Sequence, residues 1–389
     1  MTRALSRRTD LASAENVLTR LLREARSRGP VLDLTASNPT TARLPYAEDE
    51  IRAALSDARC LVYAPSARGT REAREAISAF YMEELGAAVD PDRVVLVAST
   101  SEAYAMLFKV LCDPGDVVLA PRPSYPLFDH LAACEAVRLA PYTIAYDGRW
   151  HVDIPSLRAG VTPDVRAILA VSPNNPTGSY LARAELDAML AAGLPLVVDE
   201  VFAQYPLGSR VPAVRSVCAE RGGLCFALSG LSKLGGLPQM KLAWIVVSGE
   251  PSLVDAALAR LDVVCDAFLS VGAPVQVALP RLLAAGRTTR EGIQRRIAAN
   301  LRAVAERTRD RPVTLLDVEG GWYAILRLPA TRSEETWAEG LLREHAVYTH
   351  PGYFFDMATE PHLVVSLLAP PEVLDEGVER LLSHVAEGC

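Results

Sequence analysis

Lysine is scarce in this sequence. Three of its forty basic residues are lysines, namely Lys109, Lys233 and Lys241, and the others are arginines. Arginine stays protonated at any usable pH, whereas a lysine in a dry pocket can lose its proton and attack a carbonyl group. Lys233 and Lys241 lie eight residues apart in the Gly/Ser-rich segment 227–244. Lys233 is therefore a candidate for a reactive amine, and a solvated loop lysine is the alternative that this count leaves open.

Other features are also missing, and each absence disfavours a class of function. The net charge is −7 without a basic stripe, which disfavours binding to nucleic acid or to an anionic membrane. No apolar run reaches the roughly 18 residues of a membrane-spanning helix, and residues 1–30 lack the apolar core of a secretion signal. The seven cysteines show no paired spacing, so we expect reduced thiols in a cytoplasmic protein. The six histidines have no ligand-like spacing, so no metal site is expected.

The length and the pattern of apolar runs predict two domains. A chain of 389 residues exceeds what one core usually fills. Short apolar runs alternate with helical segments, which is typical of βαβ units in a sheet buried on both faces. The predicted strands of this sheet are 94–98, 116–120, 137–141, 167–171, 196–198, 224–228 and 243–247.

The segments at the two ends of the chain predict a smaller α+β domain. The C-terminal part contains a long helical region, 275–307, with a break near 286–288, followed by strands at 313–319, 322–327, 346–349 and 363–367 and helices at 335–344 and 372–386. A helix at 4–28 is expected to pack with it. We therefore assign residues 1–48 to an N-terminal arm and part of the small domain, 49–275 to the large domain, and 276–389 to the small C-terminal domain.

In an open α/β sheet, ligands bind beyond the carboxyl ends of the strands, so the residues that follow each predicted strand are the candidates for a site. Ser99, Thr100 and Ser101 follow the first strand and precede a helix, where backbone N–H groups and hydroxyls bind phosphate or simply cap the helix. The segments after later strands read PRPSYP at 121–126, SPNNPTG at 172–178, DE at 199–200 and SGLSK at 229–233.

The motifs PSYP, SPNNPTG, VVDEVF and SGLSK, in this order and spacing, resemble the class I and II aminotransferases of fold type I, which use pyridoxal 5′-phosphate. The resemblance extends from about residue 33 to the C-terminus. It implies an α/β fold with a mainly parallel seven-stranded sheet, helices on both faces, and a smaller α+β domain. The large domain at 49–275 would bind the cofactor.

The implied activity is transfer of an amino group between an amino acid and a 2-oxo acid through the pyridoxamine form of the cofactor. A fold does not fix the reaction type, so a β-lyase, decarboxylase, racemase or cyclase acting on an amino acid or amine remains the alternative. A non-catalytic regulator is disfavoured, because no DNA-binding helix-turn-helix is appended and the chain keeps Lys233 and Asp199.

The resemblance also implies a role for each motif residue. Lys233 would bind the cofactor covalently and then move the substrate's Cα proton, and Asp199 would hold the proton on the pyridine nitrogen. Tyr125 would stack on the ring, and Asn175 would contact the ring hydroxyl and the substrate. The phosphate would be held by Ser99, Thr100, Ser101, Ser232 and Lys241, with Tyr63 reaching it from a second subunit. The last contact implies a homodimer whose site is completed across the interface.

Four positions depart from the pattern of the family. Phe202 stands where a tyrosine often bonds to the ring hydroxyl, Gly230 where a phosphate-binding serine is common, and Lys241 where an arginine usually clamps the phosphate. Val364 stands where the family carries the arginine that binds the substrate carboxylate. Because a buried carboxylate needs a charge partner, Arg68 is the candidate anchor, and a solvated loop charge is the alternative.

An aromatic cluster at 348–355 is placed by the resemblance near the mouth of the site. It is expected either to line an apolar substrate pocket or to belong to the core of the small domain.

Overall fold

A computed structural model describes residues 6–9, 16–208, 210, 212–359 and 361–388 of the chain. The β-strands, in chain order, are β1 Leu32–Asp33, β2 Val94–Val97, β3 Val117–Arg122, β4 Arg138–Tyr146, β5 Trp150–Val152, β6 Val165–Val171, β7 Leu196–Asp199, β8 Leu224–Gly230, β9 Ala243–Gly249, β10 Thr314–Leu315, β11 Tyr323–Arg327, β12 Val347–Tyr348, β13 His350–Pro351 and β14 His362–Ser366. The seven strands predicted for the large sheet are present. The sheet has eight strands, in the order β2, β9, β8, β7, β6, β3, β4 and β5, so the short edge strand β5 is an addition to the prediction.

The centre of the large sheet is parallel and buried on both faces. Strands β8, β7, β6, β3 and β4 pair in parallel, whereas β9 is antiparallel to both of its neighbours and β5 is antiparallel to β4. Alternate residues of one strand enter different cores: Val198 lies in the core on one face and Val197 in the core on the other. The continuous apolar runs of the sequence arise because helices cover both faces, and the predicted fold class is confirmed.

The helices alternate with these strands and continue beyond them. The α-helices are α1 Val17–Arg28, α2 Glu48–Leu55, α3 Arg71–Leu85, α4 Thr100–Leu111, α5 Leu127–Cys134, α6 Ile154–Gly160, α7 Arg183–Leu190, α8 Leu231–Leu234, α9 Pro251–Phe268, α10 Ala273–Thr308, α11 Glu334–His345 and α12 Pro371–Gly388. In the described part of the chain, none of them has the length and apolar character that a membrane span requires.

Helix α10 is continuous, so the predicted break near 286–288 is wrong. The glycine in that stretch, Gly286, allows close packing between α10 and a neighbouring loop. A Cβ atom on Gly286 would lie 2.9 Å from the Cα atom of Gly235, which follows α8 directly. The missing side chain therefore lets α10 run close to the loop beside Lys233 without ending the helix.

A second unit is built from both ends of the chain. Strands β10, β11, β14 and β13 form an antiparallel sheet, and β1 pairs in parallel with β12. Its core contains Leu18 of α1 together with Leu34, Trp322, Trp337 and Leu382, so the N-terminal helix packs with the C-terminal elements as the sequence predicts. The predicted strand at 313–319 is shorter than expected, since β10 has two residues. The domain boundaries stay a prediction.

The predicted N-terminal helix at 4–28 is described as a helix from Val17 onward, with a short 3-10 turn at Arg7–Thr9. Much of its remaining length lies outside the described residues. The side chain of Asn16 accepts a hydrogen bond from the backbone N–H of Leu18 at 2.8 Å, which satisfies one of the free donors at the start of α1.

Candidate active site

A cavity of about 560 Å³ lies where the carboxyl ends of the parallel strands meet the small unit. Residues after β2, β3, β6, β7 and β8 reach it, as expected for an open α/β sheet. Most of the residues predicted for the site line this one cavity: Ser99, Thr100, Ser101, Tyr125, Asn175, Asp199, Ser232 and Lys233. The topology thus gathers side chains that are up to 134 positions apart in the sequence, from Ser99 to Lys233.

Asp199 is buried at the end of β7 and lines the cavity. Its Oδ1 atom accepts a hydrogen bond from the N–H of Val201 at 3.1 Å, and its Oδ2 atom accepts one from the hydroxyl of Tyr104 at 2.9 Å. Burial raises the pKa of Asp199 to about 6, against the opposing effect of these two donors and of the Lys233 charge. The two donors therefore favour the charged form of a carboxylate that burial disfavours.

Glu200 follows Asp199 but serves a different purpose. Its two carboxylate oxygens accept hydrogen bonds from the N–H of Val217 at 2.8 Å and from the hydroxyl of Ser216 at 2.6 Å. Burial raises the pKa of Glu200 to about 8. Of these two residues, Asp199 lines the cavity and Glu200 does not. Glu200 instead fixes the loop at 216–217 through its two hydrogen bonds.

Lys233 lies in the short helix α8 with its amine among aromatic rings. Its Nζ atom is 4.9 Å from the ring centre of Trp322 and 5.6 Å from that of Phe202. Burial lowers the pKa of Lys233 to about 8, with the Asp199 charge acting in the opposite direction. The backbone is fixed as well, because the hydroxyl of Tyr205 donates to the carbonyl oxygen of Lys233 at 2.5 Å. The lowered pKa therefore makes the unprotonated amine more abundant near neutral pH than it is for a lysine with the ordinary pKa of about 10.4.

The N-terminus of α4 lies at the cavity. The hydroxyl oxygen of Ser99 accepts a hydrogen bond from the N–H of Glu102 at 3.1 Å, and the Glu102 carboxylate accepts one from the N–H of Ala98 at 2.5 Å. Ser99 thus caps the helix, and Thr100 and Ser101 line the cavity in the first turn. A helix start of this kind favours an anionic group.

The two asparagines of the SPNNPTG turn have different roles. Asn174 holds the turn, because its amide nitrogen donates to the carbonyl of Pro123 at 3.1 Å and to the hydroxyl of Thr177 at 3.0 Å. Asn175 lines the cavity, and its buried Oδ1 atom has no hydrogen-bond partner among the described residues. A buried polar atom without a partner is costly unless a ligand satisfies it. Tyr125 completes this side of the cavity with a ring that is 43% exposed.

Three predicted site residues do not reach this cavity. Lys241 is exposed and follows the 3-10 turn Pro238–Met240. Tyr63 is 81% exposed and lines a separate cleft. The guanidinium of Arg68 is bound at both ends, to Asp262 at 2.6 and 2.5 Å and to the carbonyl of Asp92 at 2.6 Å. Arg68 therefore serves as a structural ion pair here, and the structure does not support it as the substrate anchor.

The departures from the family pattern are visible in the same region. Phe202 lines the cavity and packs edge-on against Trp322 and Tyr323. Val364 is buried in β14, in a small apolar cluster with Ile325 and Phe355. Gly230 lines the cavity, and a Cβ atom there would lie 2.7 Å from the Cβ atom of Ala243. A serine at position 230 would meet the neighbouring strand.

Sequence reasoning missed Tyr104. The hydroxyl of Tyr104 donates a hydrogen bond to Asp199. The sequence feature that could have identified it is its position in α4, one helical turn after Thr100 and on the same face of the helix. Further lining residues that the sequence did not single out are Thr35, Ser37 and Tyr323. The aromatic cluster is divided: His350, Phe354 and Phe355 line the cavity, whereas Tyr348 and Tyr353 do not belong to its lining.

One group of three potential metal ligands is found in the described part of the chain. Glu344, His345 and His384 have ligand atoms within 4.8 Å of one another. None of the three lines the cavity described above. The expectation of no metal site stays a prediction.

The cavity suits pyridoxal 5′-phosphate. Lys233 offers an amine with a lowered pKa, Asp199 offers a carboxylate, and the N-terminus of α4 offers N–H groups for a phosphate. Tyr125 offers an aromatic face, and Asn175 offers a side-chain amide whose oxygen has no partner in the described chain. Each of these groups matches a chemical feature of the cofactor: an aldehyde, a pyridine nitrogen, a phosphate, a ring face and a ring hydroxyl.

Comparison with known proteins agrees with this site. The family model for aminotransferase class I and II matches residues 29–381. The chain is 27% identical to the arginine–pyruvate transaminase of Pseudomonas aeruginosa over 82% of this chain and 81% of that one. It is 30% identical to the 4-dedimethylamino-4-oxo-anhydrotetracycline transaminase of Streptomyces rimosus over 86% of this chain and 89% of that one.

Among solved structures, an alanine aminotransferase from Pyrococcus furiosus superposes with a TM-score of 0.89 over 98% of this chain and all of that chain, at 21% identity. At this identity the likeness shows a shared fold, while the family model and the sequence relatives identify the family. The chain belongs to the class I and II aminotransferases, enzymes that use pyridoxal 5′-phosphate to transfer an amino group.

Proposed function

We propose that Lys233 is the residue that binds the cofactor and then transfers the substrate's Cα proton in this aminotransferase. The observation that carries the proposal is a lysine whose pKa burial lowers to about 8, in a cavity that also contains the Asp199 carboxylate. An unprotonated amine is required both to attack the cofactor's aldehyde and to accept a proton. When bound, pyridoxal 5′-phosphate supplies that aldehyde and a ring that withdraws electrons from the reacting carbon.

The other predicted residues have complementary roles in this proposal. Asp199 holds a proton on the pyridine nitrogen through its charge, and Tyr125 covers the ring face. Asn175 donates from its amide to the ring hydroxyl oxygen and contacts the substrate. Ser101 and Thr100, with Ser99 and Ser232, surround the phosphate at the start of α4. Their shared position in one cavity supports these roles.

Labelling tests the lysine assignment directly, because the chain offers three lysine side chains. Borohydride reduction of the yellow holoenzyme, followed by peptide mass spectrometry, should find the pyridoxyl group on Lys233. The Lys233→Ala variant should take up no label, whereas Lys109→Ala, a matched control, should label like the wild type. A label on Lys109 or Lys241 would refute the assignment.

We also propose that the enzyme is a homodimer in which Tyr63 contributes to cofactor binding across the interface, while Lys241 serves the phosphate of its own chain. Tyr63 follows two other exposed apolar residues, Leu61 and Val62, and Val263 and Phe268 are further large exposed apolar side chains. Contiguous exposed apolar residues are typical of an interaction surface. Light scattering should therefore give twice the chain mass of 42.0 kDa, and Tyr63→Ala should weaken cofactor binding. A monomer with full cofactor affinity would contradict the proposal.

We propose a cytoplasmic location. The six described cysteines are free thiols, three of them buried, and free thiols are typical of a reducing compartment. Cell fractionation that recovers the activity with periplasmic or extracellular markers would contradict this proposal.

A further inference from the structure

The charges that line the active cavity are unusual for an enzyme that handles amino acids. Among the described lining residues there is no arginine, and the groups able to carry a positive charge are Lys233 and His350. Lys233 is assigned to the cofactor. Burial lowers the pKa of His350, and its ring packs against Phe354 and Phe355 at centroid distances of 5.4 and 6.0 Å. Burial thus favours the neutral form of His350, and the described lining offers an entering carboxylate no arginine.

Two arginines in segments that adjoin the cavity are bound to carboxylates, although the Nη1 atom of Arg122 is buried and has no hydrogen-bond partner among the described residues. Arg68 is paired with Asp262. Arg122, just before the segment that carries Tyr125, bonds to Asp129 at 2.9 Å and to Asp356 at 2.9 Å. Neither arginine lines the cavity. Their carboxylate partners are 38–53% exposed, so each pair contributes little to stability, and it is the position of both arginines outside the lining that separates them from a substrate.

The segment proposed to enter from a second subunit brings no free cation either. Its exposed part, Leu61 to Tyr63, is apolar. Arg59, which precedes it, is bound to Asp57 at 2.9 Å and to Glu72 at 2.7 Å within its own chain. Dimerisation through this segment would add apolar surface to the cavity rather than charge.

Aromatic side chains of the small unit line part of the cavity, and we call Tyr323, Phe354 and Phe355 the aromatic wall. Phe202 also lines the cavity, beside the Lys233 amine. The hydroxyl of Ser37 also lines the cavity and is hydrogen-bonded to Tyr323. The cavity of about 560 Å³ also contains the residues assigned to the cofactor, so the substrate takes the part that the cofactor leaves. That part is bordered by aromatic side chains and by neutral polar groups, which suits an apolar group.

We infer that one of the two substrates of this enzyme is a bulky, uncharged ketone, or the corresponding amine, whose reacting carbon carries no carboxylate. The inference rests on the proposed function of Lys233 and its cavity. The exchange balances without another reactant: the C=O group of the ketone becomes CH–NH2 as the CH–NH2 group of the amino acid becomes C=O. The carboxylate of the amino acid is held weakly, by neutral donors such as the amide nitrogen of Asn175.

Two ligands of equal shape test the inference by binding. 3-Phenylpropionate carries a carboxylate, and 3-phenylpropionamide replaces it with a neutral amide. We expect the holoenzyme, titrated by its cofactor absorbance, to bind the amide at least as tightly as the carboxylate. A pocket with an arginine anchor would prefer the carboxylate by about 30-fold or more, and that preference would overturn the inference. Failure of both ligands to bind would also overturn it.

The half-reaction gives a second comparison with the same shapes. 2-Phenylethylamine and phenylalanine differ by the carboxylate on the reacting carbon, and the rate of conversion of the cofactor to its pyridoxamine form can be followed for each. We expect a kcat/KM for the amine equal to or above that for phenylalanine. A preference for phenylalanine of about 30-fold or more would refute the inference. If borohydride does not label Lys233, the proposed role of Lys233 is wrong. That result is distinct from a preference for phenylalanine, which would refute the substrate inference alone.

Two neighbouring variants test the aromatic wall. Phe354→Ala should weaken binding of 3-phenylpropionamide by about ten-fold, the effect of removing about half the burial of one aromatic side chain. Tyr353→Ala is the matched control, because Tyr353 is adjacent, exposed and outside the lining. Equal effects of the two variants would show that the ligand does not contact the wall.

Discussion

Replacing Tyr104 with phenylalanine removes the hydroxyl group that donates to Asp199 and leaves the ring in place. The hydroxyl lies 2.9 Å from the Asp199 Oδ2 atom, in a buried position. The ring packs edge-on against Phe128 at a centroid distance of 5.1 Å, and phenylalanine preserves that contact. Asp199 then retains the N–H of Val201 as its donor. The substitution therefore acts on the charged form of Asp199 and changes little else.

The size of the effect follows from the hydrogen bond. A hydrogen bond to a charged group contributes about 1.5–3 kcal/mol, and one pKa unit corresponds to about 1.4 kcal/mol. The pKa of Asp199, which burial raises to about 6, should therefore rise by about one to two units further in Tyr104→Phe. In the variant, Asp199 would be largely protonated at neutral pH and would no longer balance a protonated pyridine nitrogen.

The assay is the free energy of unfolding of the cofactor-free protein as a function of pH. Folding raises the pKa of Asp199 above its unfolded value of about 3.9, so the stability that this group contributes is complete below about pH 4. It is lost as the pH rises through about 6. In the variant the loss should continue to about pH 7–8, so the difference from wild type should grow by about 1.5–3 kcal/mol between pH 5 and pH 8.

Tyr142 offers a matched control. It is also buried, and its hydroxyl donates at 2.8 Å to the carbonyl oxygen of Leu169, a neutral acceptor. Tyr142→Phe should destabilise the protein by a similar amount at each pH. If the difference between Tyr104→Phe and wild type is as constant with pH as that of the control, Tyr104 does not support the charge of Asp199.

Three further substitutions test other parts of the structure. Arg68→Ala should leave kcat/KM near the wild-type value in steady-state assays and lower the free energy of unfolding by about 1 kcal/mol, because its partly exposed pair with Asp262 is structural; a large loss of kcat/KM would restore Arg68 as an anchor. Phe202→Tyr should shift the absorbance titration of the holoenzyme to lower pH, since the new hydroxyl enters the cavity; coincident titrations would show that it does not reach the cofactor. Gly286→Ala should lower the free energy of unfolding by about 1–3 kcal/mol in denaturant titrations, because the new Cβ atom would lie 2.9 Å from a neighbouring backbone atom. Gly222→Ala is the control: Gly222 has open space around it, so the free energy of unfolding should change by less than about 0.5 kcal/mol.

The sheet, and the gathering of most predicted site residues in one cavity, could be predicted because they depend on local patterns. Apolar runs between helices define the strands, and Ser99, Asn175, Asp199 and Lys233 each lie just beyond the end of one strand. Parallel pairing brings the ends of β6, β7 and β8 to one edge of the sheet, and β2 points the same way as β8 because both are antiparallel to β9. The sequence order of the motifs was therefore sufficient to assemble this half of the cavity.

The other half depends on contacts between distant segments, which local patterns do not contain. Arg68 is separated from Asp262 by 194 positions, so nothing in its own segment shows that its charge is already neutralised. Ser37 and Phe354 meet at the cavity because the small unit is built from both ends of the chain. The break expected at Gly286 was wrong because a glycine that weakens an isolated helix can also permit close packing of a buried one.

The same burial acts on both charged groups of the cavity. It raises the pKa of Asp199 and lowers that of Lys233, so each is driven toward its neutral form. A neutral Lys233 suits an attacking amine, but Asp199 must stay charged to hold a proton on the pyridine nitrogen. In a cavity whose described lining has no arginine, that charge is supported by two neutral donors, Tyr104 and the N–H of Val201, and by the charge of Lys233 when it is protonated. The lack of an arginine in the described lining and the hydrogen bond from Tyr104 to Asp199 are thus two features of the same arrangement of charges. It supports the ionised form of Asp199, and it is compatible with the substrate that we infer, which has no charge at its reacting carbon.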